Sequence, residues 1–231
     1  MTEPMAAKRL AAACYDLGAQ GAFRVPDGYP DSLALCILDS IWSIGIRYTT
    51  VGKVVDRWRA DVRATGLDPD VRGARDLARD IDRVGGPHAF AQQIGTMHRT
   101  STRNGVLKAE AVHAAALAVA CEGVDSTEEL RSRADDPALR SAWCDIRGQG
   151  SGISWHYLLI LAGVQDVKPD RMIMRFVNRA LEPDPARSAE VVRGVLIETL
   201  QVLQADHPEL TLRALDHTIW SFESNRAKSR R

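Results

Sequence analysis

The chain has 231 residues, 45% of them hydrophobic, which is enough for one large or two small globular domains. Its 30 basic and 30 acidic residues cancel, so the net charge gives no support for strong non-specific binding to nucleic acid, although a local basic face stays open. No apolar run is long enough to span a membrane, and residues 1–10 lack a signal-peptide core, so we expect a cytoplasmic protein that does not contact membranes.

Helical periodicity extends along most of the chain, and no segment alternates like a strand, which predicts an all-α fold of about ten helices. In the first half we predict helices at Met5–Leu17, Leu33–Ile44, Thr49–Ala64, Val71–Val84, Pro87–Ile94 and Val106–Cys121. In the second half we predict a short helix after Ser126, then Pro137–Ile146, Ile153–Ala162, Arg171–Val177, Ser188–Ala205 and Pro208–Glu223. Leu33–Ile44 is apolar around most of its circumference and is predicted to be the central core helix, whereas the basic tail at residues 225–231 is predicted to be disordered.

The four cysteines lie far apart in apolar helical segments, without the C-x-x-C spacing typical of metal sites. They are Cys14, Cys36, Cys121 and Cys144. We interpret them as buried free thiols in a reducing compartment, and we expect neither a metal ion nor another cofactor.

Three glycines occupy alternate positions in the segment Ile146–Gly152, between two predicted helices. Glycine permits positive φ angles and the close approach of another backbone. A tight turn that opens a helix also presents unpaired N–H groups at the positive end of the helix dipole, which suits a phosphate. We therefore predict that Gly148, Gly150, Ser151 and Gly152 bind an anion; the alternative is a turn that only joins two helices.

A carboxylate follows this turn in the sequence Lys168-Pro169-Asp170. Proline disfavours helix at the residue before it, and aspartate is among the best N-cap residues. Asp170 is therefore predicted to cap the N-terminus of the next helix. The neighbouring Arg171 could form an ion pair with Asp170 and silence it.

In this order, the turn and the aspartate resemble the helix-hairpin-helix DNA glycosylase superfamily, in particular its endonuclease III-like members. The pattern of that family is apolar-x-Gly-x-Gly, a helix, and a short loop that ends in the catalytic aspartate. Gly148 and Gly150 match the two hairpin glycines, and Asp170 matches the aspartate. Two upstream segments, Asp31–Trp58 and Ile94–Glu110, are also similar to segments of the family.

The resemblance covers residues 29–180 and implies two helical subdomains that flank a cleft, with Asp170 at the cleft. Residues 31–164 would form an inserted subdomain that carries the helix-hairpin-helix motif, and residues 1–30 with 165–231 would form the second. The implied function is base-excision repair: hydrolysis of the N-glycosidic bond of a flipped, damaged base in double-stranded DNA. Asp170 would be the key carboxylate, and the glycine turn would bind backbone phosphates. We expect a monomer, and the sequence does not specify the base.

Two departures from the family pattern matter. Gly152 stands where the bifunctional members carry the lysine that attacks the sugar, so a glycosylase here is expected to be monofunctional, without lyase activity. No cysteine follows Arg179, so the iron–sulfur cluster of some relatives is not expected.

Three residues are weaker candidates for the base pocket or for a wedge in the DNA. Trp42 lies near the position at which members of the glycosylase family carry the side chain that fills the gap left by a flipped base. Trp155 and His156 follow the glycine turn closely. For each of them, a role in the core or on the surface is the alternative.

Basic and acidic residues elsewhere give less specific signals. Arg99, Arg103 and Lys108 could contact phosphates or could form a solvated face. Asp216 and His217 are interpreted as structural, because adjacent residues on a helix point in different directions.

Two other functions stay open. A non-enzymatic helix-hairpin-helix DNA-binding protein could have kept the glycosylase fold, which Arg171 and the zero net charge favour. A helical protein-interaction module would use Ile146–Gly152 only as a turn.

Overall fold

The structure is a computed structural model that describes residues 3–18, 23, 25, 27–185 and 188–228. These residues form twelve α-helices and one short 3₁₀ helix, and no strand occurs among them, which confirms the predicted all-α fold. None of the helices in this part of the chain has an apolar stretch long enough to cross a bilayer.

The helices alternate with short loops along the chain. In the first half they are α1 (Glu3–Gly18), α2 (Leu33–Trp42), α3 (Tyr48–Ala64), the 3₁₀ helix (Pro69–Val71), α4 (Ala74–Arg83), α5 (Pro87–Gln93) and α6 (Lys108–Cys121). In the second half they are α7 (Thr127–Ser132), α8 (Pro137–Cys144), α9 (Ile153–Leu161), α10 (Arg171–Ala180), α11 (Ala189–Leu203) and α12 (Leu212–Lys228).

The helix predicted at Val71–Val84 is divided in the structure. The 3₁₀ helix ends at Val71, and α4 begins only after the extended residue Gly73. A Cβ atom at Gly73 would lie 2.4 Å from the carbonyl oxygen of Asp125, so this backbone passes too close to its neighbour for any other residue. Close tertiary packing therefore interrupts a pattern that is locally helical.

Two other predicted ends also differ. α6 begins at Lys108 instead of Val106, because Leu107 still pairs with Arg99 in an isolated antiparallel bridge. α12 continues to Lys228, so the prediction of a disordered tail is wrong for residues 225–228, while residues 229–231 lie outside the described residues.

Residues Gly28–Val164 form one compact unit that is built around α2. All 10 residues of α2 are buried, as expected for the central core helix. α6 and α9 pack against α2, and α4 and α5 pack against α6. The fully buried side chains of this unit include four tryptophans: Trp42, Trp58, Trp143 and Trp155.

A buried lysine closes the C-terminal end of α2. Lys108 is 0% exposed, and its Nζ donates hydrogen bonds to the carbonyl oxygens of Trp42 (2.6 Å) and Ile44 (2.5 Å). Carbonyls at the end of a helix have no donor within the helix and carry the negative end of its dipole. Lys108 thus joins α6 to α2. The suggested phosphate contact is wrong, because the ammonium group has no access to solvent.

Residues Met1–Asp27 and Gln165–Arg231 form the second compact unit, whose described part contains α1, α10, α11 and α12. α1 packs along α11, and Thr199 Oγ1 donates a hydrogen bond of 3.4 Å to the carbonyl of Ala7. α10 packs along α12, where the rings of Phe176 and Phe222 meet edge to face with centroids 6.0 Å apart. Both ends of the chain therefore build this unit. Its first boundary falls after residue 27, whereas the sequence had suggested residue 30.

All four cysteines are free thiols, but they are not equally buried. Burial raises the pKa of Cys14 to about 12 and raises that of Cys36 well above its usual value. Cys144 is half-buried and Cys121 is exposed, so the prediction of four buried thiols is wrong for Cys121. Among the residues described, no group of three or more His, Cys, Asp or Glu side chains converges in a way that could hold a metal ion.

Candidate functional site

The segment between α8 and α9 is a tight turn that requires glycine at two positions. Gly148 has φ 93° and Gly152 has φ 70°, and both values are in the left-handed region that glycine favours. The turn is closed by hydrogen bonds of 2.9 Å from the amide of Gln149 to the carbonyl of Ile146 and from the amide of Gly152 to the carbonyl of Gln149. At Gly148, a Cβ atom would lie 2.6 Å from Thr100 Oγ1, so this glycine is also required by packing.

Gly150, at the tip of the turn, is different. It is exposed, its φ is not positive, and the nearest atom to an added Cβ would be the carbonyl oxygen of Cys144 at 3.7 Å, an ordinary contact. The fold therefore does not need glycine at position 150. A residue without a side chain here leaves the backbone open to close approach from outside.

The turn presents free hydrogen-bond donors beside positive charge. The amides of Gly150 and Ser151 make no hydrogen bond with other described residues, and they precede the N-terminus of α9, a helix of 9 residues. Arg140 is exposed, and its Nη2 would lie 3.5 Å from a Cβ at Gly152. Arg147 in the turn is exposed as well. Free amides, a helix dipole and guanidinium groups together suit a phosphate oxygen.

A buried polar chain holds the turn from inside. Gln149 is 0% exposed, and its Oε1 accepts a hydrogen bond of 2.5 Å from Ser154 Oγ, which in turn accepts one of 3.0 Å from Trp143 Nε1. The rings of Trp143 and Trp155 contact each other with centroids 6.1 Å apart. Sequence reasoning missed Gln149, because a polar residue between two glycines gives no sign that it is buried.

Two of the three residues suggested for the base pocket or wedge lie in the core. Trp42 is 0% exposed and Trp155 is 1% exposed, so neither can insert into DNA without leaving the core, and that prediction is wrong for both. His156 is partly exposed in the first turn of α9. Arg103 is exposed, and Arg99 is exposed while its Nε donates a hydrogen bond of 2.9 Å to the carbonyl of Gly105.

Asp170 is the N-cap of α10, as predicted. Its Oδ1 accepts hydrogen bonds from the amides of Met172 (2.7 Å) and Ile173 (3.2 Å), while Oδ2 accepts none from the described residues. The residue is partly exposed. Arg171 is exposed and forms no ion pair with Asp170 or with any other described carboxylate, so the suggested ion pair is absent. One carboxylate oxygen is thus fixed, and the other is open.

A second carboxylate lies close to the segment that carries Asp170. Asp216 of α12 is 9% exposed, and its Oδ1 accepts a hydrogen bond of 2.9 Å from the amide of Lys168. Burial raises the pKa of Asp216 to about 8, against the effect of this hydrogen bond; the negative charge of Asp170 raises the pKa further. This pKa favours the protonated form of Asp216 at pH 7, and the hydrogen bond from the Lys168 amide is compatible with the structural role that the sequence suggested.

Fold and side chains together define an all-α protein of two helical units. One unit presents an exposed glycine turn at a helix N-terminus, and the other holds a carboxylate at the start of α10. The chain belongs to the family described as Domain of unknown function (DUF8548), whose model matches residues 8–224. No curated protein and no solved structure matches the chain. Joint action of the turn and Asp170 on one ligand stays a prediction.

Proposed function

We propose that this protein is a monofunctional DNA glycosylase that hydrolyses the N-glycosidic bond of a flipped, damaged base. The observation that carries this proposal is the Asp170 carboxylate, of which one oxygen is bound by the N-terminus of α10 and the other is open. The exposed turn around Gly150 supports it, because free amides at a helix N-terminus suit the phosphates of double-stranded DNA.

The proposed chemistry uses the open oxygen of Asp170. When the bond between C1′ and the base nitrogen breaks, its electron pair leaves with the base, and the sugar acquires oxocarbenium character. A carboxylate oxygen nearby stabilises that positive charge and orients the attacking water. The water oxygen forms the new bond to C1′, and its proton passes to the departing base through solvent. Hydrolysis therefore yields a free base and an intact abasic strand.

Gly152 predicts the absence of a covalent intermediate. Schiff-base formation needs an amine beside C1′, and residue 152 is a glycine in the left-handed conformation that begins α9. We expect that borohydride added during turnover traps no protein–DNA adduct, and that the abasic strand breaks only after alkali treatment. A trapped adduct of the protein's mass plus the oligonucleotide, seen on a denaturing gel, would contradict the monofunctional assignment.

Gly150→Asp tests phosphate binding without disturbing the fold. A side chain at position 150 finds room, since its Cβ would meet only the Cys144 carbonyl at 3.7 Å, but a carboxylate there repels an incoming phosphate. We expect affinity for a double-stranded oligonucleotide to fall at least about tenfold, or ~1.4 kcal/mol, in a fluorescence anisotropy titration. The midpoint of thermal unfolding should stay unchanged.

Gly52→Asp is the matched control for this experiment. Gly52 lies in α3, its φ is not positive, and no atom would lie within 4 Å of an added Cβ. The control introduces the same charge in the same unit of the protein. Equal weakening of DNA binding by both variants would mean that net charge, rather than the turn, determines affinity. Wild-type affinity should also decrease as salt increases.

A non-enzymatic DNA-binding protein is the second candidate. The observation that favours it is the capping role of Asp170, which by itself is a sufficient reason for an aspartate at this position. A panel of duplexes that each carry one alkylated, oxidised, deaminated or mismatched base separates the two candidates. Base release from any duplex supports the glycosylase. DNA binding that Gly150→Asp weakens, without base release from any duplex, supports the second candidate.

A further inference from the structure

The short segment from Lys168 to Asp170 is held at both ends. At its start, the amide of Lys168 donates a hydrogen bond of 2.9 Å to Asp216 Oδ1 on α12. The carbonyl of Lys168 accepts a hydrogen bond of 2.6 Å from the amide of Asp170, and the Asp170 side chain then caps α10. A single residue therefore connects the carboxyl group of Asp216 to the backbone of Asp170.

The surroundings of Asp216 disfavour a negative charge on its carboxyl group, because other carboxylates lie nearby. Asp170 and Asp166 both act on it electrostatically as carboxylates, and Lys168 is the cation that opposes them. Asp166 is itself 1% exposed and is neutralised by Arg193 of α11, whose Nε lies 2.7 Å from its Oδ1. The positive charge of Arg193 is thus already used by Asp166. A protonated Asp216 fits this site, whereas an ionised one would require water or a rearrangement.

Titratable neighbours on α12 itself complete the environment. Arg213 precedes Asp216 by one turn and its amide donates to the side chain of Gln165, while His217 follows Asp216 and stacks on Trp220 with ring centroids 6.2 Å apart. The hydrogen bond from the Lys168 amide to Asp216 joins the segment to α12.

We propose that Asp216, through its hydrogen bond to the Lys168 amide, is a positioning residue that holds the Lys168–Asp170 segment, and with it the Asp170 carboxylate, in the orientation used for base release. The inference rests on the proposed function. Asp216 touches neither base nor sugar in this role; it acts through the backbone of Lys168. Ionisation of Asp216 strengthens its acceptance from the Lys168 amide, but it also places a second buried negative charge beside Asp170, which repels the Asp170 carboxylate and displaces the segment.

Amide NMR tests the link without any enzyme assay. In the wild-type protein, the ¹H and ¹⁵N shifts of the Lys168 amide should titrate with a midpoint close to pH 8, the pKa of Asp216, and the Asp170 amide should follow. Asp216→Asn keeps an oxygen that accepts the Lys168 hydrogen bond but cannot ionise, so this titration should disappear. Glu209→Gln, at an exposed position just before α12, is the control and should retain it. A titration that is absent in wild type, or unchanged in Asp216→Asn, overturns the proposal.

Base release tests the consequence. With wild-type protein, the single-turnover rate should fall as pH rises through 8, whereas Asp216→Asn should keep its pH 7 rate within about twofold up to pH 9. Asp216→Ala removes the oxygen that accepts from the Lys168 amide. Its rate of base release should therefore be about one tenth of the wild-type rate or less at every pH, with DNA affinity unchanged. The proposal is also overturned if the Asp216→Asn protein loses its base-release activity above pH 8 as the wild-type protein does. A wild-type protein that releases no base but shows the amide titration refutes the proposed function while it supports the contact.

Discussion

Asp170→Asn is expected to lower the rate of base release by roughly 10²- to 10³-fold, because it removes the charge that stabilises the oxocarbenium-like transition state. The fold should survive, since asparagine is as good an N-cap as aspartate and its oxygen can still accept from the amides of Met172 and Ile173. DNA binding should be unchanged or slightly tighter, because one negative charge near the DNA is lost. Single-turnover kinetics with a saturating excess of protein measure the chemical step directly.

Asp136→Asn is the matched control for this substitution. Asp136 caps α8, and its Oδ1 accepts from the amide of Ala138 at 2.9 Å; unlike Asp170, it also pairs with an arginine, because its Oδ2 lies 2.6 Å from Arg133 Nη2. Both variants replace an N-cap aspartate with asparagine, so a general effect of capping would appear in both. An Asp170→Asn protein that keeps more than about a tenth of the wild-type rate would remove Asp170 from the mechanism.

Lys108→Met is expected to destabilise the protein by roughly 2–4 kcal/mol, the largest effect on stability that we predict for a single side chain. Methionine fills nearly the same volume, so the loss comes from hydrogen bonds rather than from a cavity. The carbonyl oxygens of Trp42 and Ile44 lose the charged donor that they share, in a place without access to solvent. Urea unfolding at pH 7, followed by tryptophan fluorescence and circular dichroism, gives the free energy of unfolding.

Lys53→Met gives the comparison for this experiment. Lys53 is exposed on α3, so its replacement removes the same charge without removing a buried donor. Its free energy of unfolding should stay within about 0.5 kcal/mol of wild type. If Lys108→Met changed the free energy of unfolding as little as Lys53→Met, the hydrogen bonds of the buried ammonium group would only offset the cost of its desolvation. The role of Lys108 in joining α6 to α2 would then be refuted.

Signals that lie close together in the chain predicted the structure well. Asp170 caps α10 because proline and aspartate act on the neighbouring residues, and the glycines around Gly150 form a turn for the same local reason. The burial of α2 followed from an apolar pattern around most of its circumference. In each case, the physical cause is contained within a few residues, so one sequence is sufficient to recognise it.

Contacts between distant residues were beyond such reasoning. From the sequence alone, Lys108 is interpreted as an exposed cation. Its burial is apparent only in the structure, where its Nζ donates to the carbonyl oxygen of Trp42, 66 positions away. The hydrogen bond between Asp216 and the amide of Lys168, 48 positions away, could not be predicted from the sequence either. Trp42 and Trp155 were candidates for a wedge because of their positions relative to a sequence pattern and to the glycine turn. A core position was the alternative for each, and the structure places both in the core. Burial of charge depends on tertiary packing, which no local pattern specifies.

The division of the chain also determines the order in which its parts are made. α1 packs along α11, and the hydrogen bond from Thr199 to Ala7 joins residues 192 positions apart. At the usual ~5–20 residues per second of synthesis, α1 waits on the order of 10–40 s for this partner. Throughout that interval, the buried face of α1, which includes Leu10 and Cys14, has no α11 to cover it. The unit Gly28–Val164 is by then fully synthesised. Its synthesis is therefore complete before the other unit, which needs both α1 and α11, can fold.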